Sequence, residues 1–214
     1  MALTIFFHAN LECILVQASF SGIEIRYILK ICSSIENMIS DLSHLRSDKD
    51  RVALVASFTE SPGKSSPVFH PENIRIGSPL ISGFELYRDK DLTIPWLMTT
   101  SQYQSFWMAG NSNELDRIAS IYGTQGFESD YVGLIWGRDL LLRNGNWVLG
   151  DPDVCYDNID RLISGKKFGK HRWSSEALNL IINRYRIFLS RGIKGTFIFC
   201  EDDETLEHLT NLQY

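Results

Sequence analysis

The 214 residues are 44% hydrophobic and 22% charged, a length and balance that fit one large or two small globular domains burying roughly 70% of the surface of the unfolded chain. A formal charge of −5 excludes a global basic field, so any contact with nucleic acid has to come from a local patch. Cys13, Cys32, Cys155 and Cys200 have no CxxC spacing and no histidine at ligand spacing, which excludes a zinc site and reads as core thiols in a reducing cytosol.

Met1 to Phe7 is apolar but lacks a basic start, and His8, Asn10 and Glu12 interrupt it before signal or membrane-spanning length. Residues 1–22 stay an unassigned segment ahead of a domain over 23–214, and the expected location is cytoplasmic with no membrane contact. Ile23 to Ile28 alternates as a strand does. Ile31 to Leu45 places Ile31, Ile35, Met38, Ile39 and Leu42 at helical spacing, with Ser33 or Ser34 as cap. Arg46 to Arg51 is a charged turn, and Val52 to Phe58 is a continuous apolar strand of the kind buried on both faces of a parallel sheet. The chain thus opens with a βαβ pattern.

Ser61 to Pro67, SPGKSSP, contains Gly-Lys-Ser, yet Phe58 stands where a P-loop needs its first glycine and two prolines flank the segment; a solvated turn is expected. Residues 67–91 are rich in Gly, Pro, Ser and Asn with strand-like pieces at Ile74 to Ile76 and Phe84 to Tyr87, an insertion running over the surface. Ser101 to Met108 is a short helix. Trp96, Phe106 and Trp107 could stack bases, although such aromatics more often fill a core.

Ile118 to Asp139 is a short apolar run, a turn of Gly123, Thr124, Gln125 and Gly126, an acidic step at Glu128 and Asp130, and the strand Tyr131 to Trp136. Glycine lets a backbone approach a phosphate or sugar closely, so the pattern reads as strand, site loop, buried strand. Asn144-Gly145 between Leu140 to Leu142 and Trp147 to Leu149 signals a hairpin. Lys166, Lys167, Lys170, His171 and Arg172 with Phe168 and Trp173 form a basic, aromatic cluster, a solvated loop by default and otherwise a backbone-contact patch. Ser174 or Ser175 caps a helix whose apolar face is Ala177, Leu178, Ile181, Ile182, Tyr185 and Leu189 and which Gly192 ends. A buried strand follows from Gly195 to Cys200. Its acidic end imitates a magnesium-binding acid site, but Glu204 to Leu212 is a helix that needs a cap and a negative first turn. Composition and pattern together give an α/β domain with a mainly parallel sheet.

Two stretches resemble a known family. Tyr122 to Asp130 is similar to the strand and Gln-Gly-hydrophobic-Glu-polar-Asp loop that superfamily-one helicases carry in their second RecA-like domain, closest to the Schlafen-type bacterial DNA/RNA helicases. Tyr185 to Gly195 resembles the next motif in order: a helix with Tyr, a hydrophobic step, Ser or Thr, then Arg and a small residue. Ile94-Pro95-Trp96 resembles a Pro-Trp signature of the same family. That family usually has His where Tyr122 stands and an aromatic or similar residue where Ser129 stands. The resemblance implies a RecA-like, P-loop-NTPase-type domain of mainly parallel sheet flanked by helices, with a hairpin and loop insertions. It also implies roles: Arg191 as an arginine finger, Gly126, Glu128 and Arg186 toward the nucleotide, Thr124 and Gln125 toward single-stranded DNA or RNA, with Lys166, Lys167 and Lys170 as further contacts to the strand.

A first RecA-like domain, which would hold ATP and magnesium through its P-loop lysine and acid, is not among these residues. The expected function is therefore the C-terminal half of an ATP-dependent helicase or translocase, inactive alone and completed by a P-loop ATPase domain or subunit. The alternatives are a non-catalytic nucleic-acid-binding or regulatory module and a remnant of a disrupted helicase gene. A P-loop ATPase in the upstream reading frame would favour the first and last of these.

Overall fold

The computed structural model describes residues 18–20, 23–25, 27–47, 49–57, 94, 100–137, 139–150, 175–200 and 202–211. Five strands form one sheet, in the order β3 (Ile28–Ile31), β9 (Gly192–Cys200), β6 (Ser129–Trp136), β4 (Val52–Ala56), β5 (Ile118–Ala119), and every pairing in it is parallel. Parallel strands need crossovers, and these carry helices onto both faces. On one face Val52, Leu54, Ala56, Phe197 and Phe199 pack with Ile35, Met38 and Leu42 of α1 (Ile35–Leu45). On the other, Ala53, Val55, Val132, Leu134 and Trp136 pack with Phe106 and Trp107 of α2 (Thr100–Met108) and with Ile181, Tyr185 and Phe188 of α3 (Ser175–Leu189). Burial of successive residues on opposite faces makes all of β4 inaccessible, as its unbroken apolar run requires.

Gly133, at the centre of β6, sets how closely α1 sits. A Cβ there would lie 2.7 Å from Leu42 Cδ1 and 2.8 Å from Leu54 Cδ2, so any larger residue pushes helix and sheet apart. Ser34 starts α1, its Oγ accepting from Asn37 N at 3.1 Å. Strands β7 (Leu140–Arg143) and β8 (Asn146–Leu149) form the expected hairpin. Asn144 and Gly145, with φ of 51° and 75°, take the two left-handed positions of a type I′ turn. The last helix, α4 (Asp203–Asn211), follows Asp202, whose Oδ2 accepts from Thr205 N at 3.0 Å. Asp202 also receives both Nη atoms of Arg143, at 2.5 and 2.8 Å. The carboxylate that imitates a magnesium-binding acid is a helix cap and an ion-pair partner.

Some expected boundaries move. The run from Ile23 divides into β2 (Ile23–Ile25), paired antiparallel with β1 (Ala18–Phe20), and β3. Ile31 belongs to β3 and not to the helix, because pairing with Ile198 of β9 outweighs a helical spacing that starts again at Ile35. Strand β9 begins at Gly192, three residues earlier than expected. Phe58, the Gly-Lys-Ser segment, the 67–91 insertion, Pro95, Trp96, the 166–173 basic cluster and the Ser174 cap lie outside the described residues.

Candidate nucleotide and strand interface at the sheet rim

Because β6 and β9 are parallel neighbours, the segments that precede them lie side by side. Ser129 N donates to Arg191 O at 2.9 Å, and Ser129 pairs in register with Gly192. Ser129 of the first motif-bearing stretch and Arg191 and Gly192 of the second therefore meet at the amino-terminal rim of the sheet.

The loop before β6 is coiled on itself. Ser120 O accepts from the amides of Gly123 and Thr124, and Thr124 O from Phe127 N. Gly126 has φ +79°, with nothing within 4 Å of a Cβ built there; the backbone angle, and not lack of room, calls for glycine. Thr124 is fully buried and its hydroxyl donates to Ile121 O at 3.1 Å. Its side chain therefore shapes the loop, while Gln125 and Glu128 are exposed. From α2, Trp107 Nε1 donates to Gly123 O at 2.7 Å, and its ring stacks on Phe127 at 5.6 Å and 6°. Phe106 and Trp107 are each 3% exposed, so both are core residues that support the loop, and neither offers a face to a base.

Arg191 sits between the end of α3 and the start of β9. Its Nε donates to Ile187 O, Nη1 to Phe127 O and Nη2 to Ser190 Oγ, each at 3.1 Å. One guanidinium thus ties the last turn of α3 to the loop before β6, where a cation is favoured by the carbonyl end of the helix. Arg186, half-buried on the same turn, donates from Nη1 to Asn183 Oδ1 at 2.9 Å. Lys166, Lys167 and Lys170 lie outside the described residues, so on the described rim Gln125 is the predicted strand-contacting side chain that stands free to do so.

The glycines of Gly192-Ile-Lys-Gly195 build a bulge opposite Ser129 to Tyr131. A Cβ on Gly192 would come within 2.1 Å of Gly195 O, and one on Gly195 within 2.7 Å of Ile28 O. The bulge aims Lys194 at Asp50 and at Asp130, the latter at 2.9 Å. Hydrogen bonds to Asp50 first and Asp130 second raise the Lys194 pKa above its ordinary value. Asp130 Oδ2 also accepts from Arg51 N at 2.8 Å, and Arg51 Nη1 in turn bonds Trp107 O at 2.7 Å. Asp130 is therefore occupied in joining the starts of β4, β6 and β9, and Glu128 is the carboxylate left facing solvent.

At the opposite, carboxyl end of the strands the chain holds a cluster that no local pattern announces. Asp139 and Arg184, with side chains 1% and 5% exposed, pair at 3.1 Å. Asp139 also accepts from Ser57 Oγ at 2.7 Å and from Tyr185 OH at 2.5 Å.

A forked cation and a free carboxylate beside an exposed glycine loop suit the outer side of a nucleoside triphosphate: phosphate oxygens for the guanidinium, ribose hydroxyls for the carboxylate. Among the described residues no group of three or more His, Cys, Asp or Glu side chains could hold a metal ion, and no helix is long and apolar enough to cross a membrane.

A budding-yeast protein, "Uncharacterized protein YPL245W" of Saccharomyces cerevisiae (strain ATCC 204508 / S288c), is 30% identical over 95 residues, which is 44% of this chain and 20% of that one. The match therefore spans about a fifth of the length of that curated relative. No solved structure matches the chain. The family described as Schlafen group 3, DNA/RNA helicase domain, matches residues 6–202, and with its parallel α/β sheet and its two motifs joined at one rim, the chain belongs to that helicase-like family.

Proposed function

We propose that the chain is the second RecA-like domain of an ATP-dependent DNA/RNA helicase or translocase, working with a P-loop ATPase domain on the same or another chain. The observation that carries this reading is the convergence of the two motifs: Arg191, at the end of α3, donates to Phe127 O between Gly126 and Glu128. In this reading a P-loop domain holds ATP and magnesium, which supply the phosphoryl group and its charge neutralisation. Arg191 moves from the Phe127 and Ile187 carbonyls to the phosphate oxygens, Glu128 meets the sugar, and Gln125 with the backbone of its loop meets a phosphate of the bound strand. Arg186, on the last turn of α3, gives the rim a second cation toward the nucleotide. The parallel sheet, helix-covered on both faces, is compatible with a RecA-like fold.

The test is reconstitution. Mixed with a P-loop-bearing first RecA-like domain from a Schlafen group 3 relative, the chain should raise ATP turnover in the presence of single-stranded DNA or RNA. Complex formation with no gain in turnover would sink the catalytic part of the reading and favour a non-catalytic binding module. One observation supports that second reading: all three nitrogens of Arg191 are already bonded within the chain.

A further inference from the structure

We propose that the buried cluster of Ser57, Asp139, Arg184 and Tyr185 is a positioning device for Arg191, setting the rotation and register of α3 from the carboxyl ends of β4 and β6. The idea rests on the reading of Arg191 given above. Ser57 follows the last residue of β4, and Gly137 and Asp139 follow the last residue of β6. Arg184 Nη1 bonds both Ser57 Oγ, at 2.9 Å, and Asp139 Oδ2, at 3.1 Å. Tyr185 OH donates to Asp139 Oδ1 and accepts from Gly137 N at 2.8 Å, while its ring stacks on Trp136 at 4.1 Å and 24°.

Two successive helix residues project about 100° apart around the axis. A single anchored residue would leave the helix free to roll about it. Anchoring both Arg184 and Tyr185 to the ends of β4 and β6 removes that freedom. A buried ion pair is weak evidence for stability, since apolar residues often replace one without loss; in this proposal its role is to fix one geometry. From Arg184 to Arg191 is seven residues, about 10 Å along a helix, short enough for a roll at the anchor to reach Ile187 O, to which Arg191 Nε donates.

The test replaces both charges together, so that neither is left buried alone: Asp139→Leu with Arg184→Met. The full chain should fold with a lowered melting temperature, because Ser57 Oγ and Tyr185 OH lose the Asp139 acceptor, and the Arg191 Nε–H resonance should shift and exchange faster with water. In the reassembled ATPase kcat should fall by up to about 10²-fold, with KM for ATP little changed. A folded variant whose Arg191 Nε–H resonance and exchange rate match the parent overturns the proposal. If the double variant does not fold, Tyr185→Phe removes one hydroxyl and gives the same readout: a smaller shift in the same direction supports the device, and an unmoved resonance overturns it. A shifted resonance beside normal turnover in Arg191→Lys supports the mechanical link while sinking the phosphate-facing reading of Arg191.

Discussion

Arg191 can serve either as a helix-terminal charge or as a hand extended to a phosphate; its three bonds within the chain fit the first role, and substitution by lysine tests the second. Lysine keeps the charge at the helix end but loses the planar fork that can meet two phosphate oxygens at once. Arg191→Lys should therefore leave folding intact and cut turnover of the reassembled ATPase by about 10³-fold or more. Steady-state hydrolysis is the measurement, and near-normal turnover would reduce Arg191 to an ordinary terminal charge. Two glycines of the same rim make a contrasting pair. Gly126→Ala meets no neighbouring atom but a φ of +79°, so it should cost on the order of 1 kcal/mol. Gly192→Ala would drive a Cβ to 2.1 Å from a backbone carbonyl, so its loss of stability on denaturant unfolding should be several times larger. Equal losses would mean that the bulge yields easily.

At the scale of elements, the start of α4 offers a pH-dependent test. Burial alone would raise the Asp202 pKa, but the Arg143 guanidinium and the Thr205 hydroxyl and amide outweigh it and hold the pKa below its ordinary 3.8. A depressed carboxyl pKa contributes stability that is present above the unfolded value and is lost as pH falls through the folded one. Asn is as good a cap as Asp, so Asp202→Asn isolates the charge. Melting temperatures of parent and variant should differ at neutral pH and converge as the pH drops below about 3.8; a gap that persists to pH 2 would place the benefit elsewhere. Elements with local signals were legible in sequence: the unbroken apolar run of β4, the Asn144-Gly145 turn, and the acid that caps α4. The boundary between β3 and α1 was hidden because Ile31 also fits the periodicity of α1, and only its pairing with Ile198 decides the matter. Gly192 looked like a helix stop, since the reasons for the bulge are non-local in pattern: the Gly195 carbonyl crowds Gly192, and Ile28 and Tyr131 crowd Gly195. Thr124 was expected to face the strand, but its side chain is buried, which depends on how the loop coils. Nothing local could have revealed the Asp139 cluster, whose partners lie 45 and 82 residues away in the chain.

At the scale of the whole molecule, two expectations follow from the proposed reading. Phosphoryl transfer requires a phosphate cradle and a metal site as well as a cation on the outer side, and the described rim offers the last of these. A purified sample should therefore show no meaningful ATPase activity; robust turnover abolished by Lys64→Ala would make Ser61 to Pro67 a working phosphate loop after all. On the proposed reading strand contact is local, because the net charge of −5 gives no global basic field, and the groups proposed for it are Gln125 with its loop backbone and Lys166, Lys167 and Lys170. Each phosphate met by a lysine releases about 0.7 of a counterion from a single strand, so three such contacts imply a slope of about −2 in log K against log salt. Raising salt from about 50 to 200 mM should then weaken an already modest affinity about twentyfold. Gln125→Ala should weaken binding without changing that slope, since it removes a neutral contact, whereas loss of the three lysines should flatten it. Titration of a labelled oligonucleotide at the two salt concentrations separates these outcomes, and an affinity indifferent to both salt and Gln125→Ala would remove the strand from this rim.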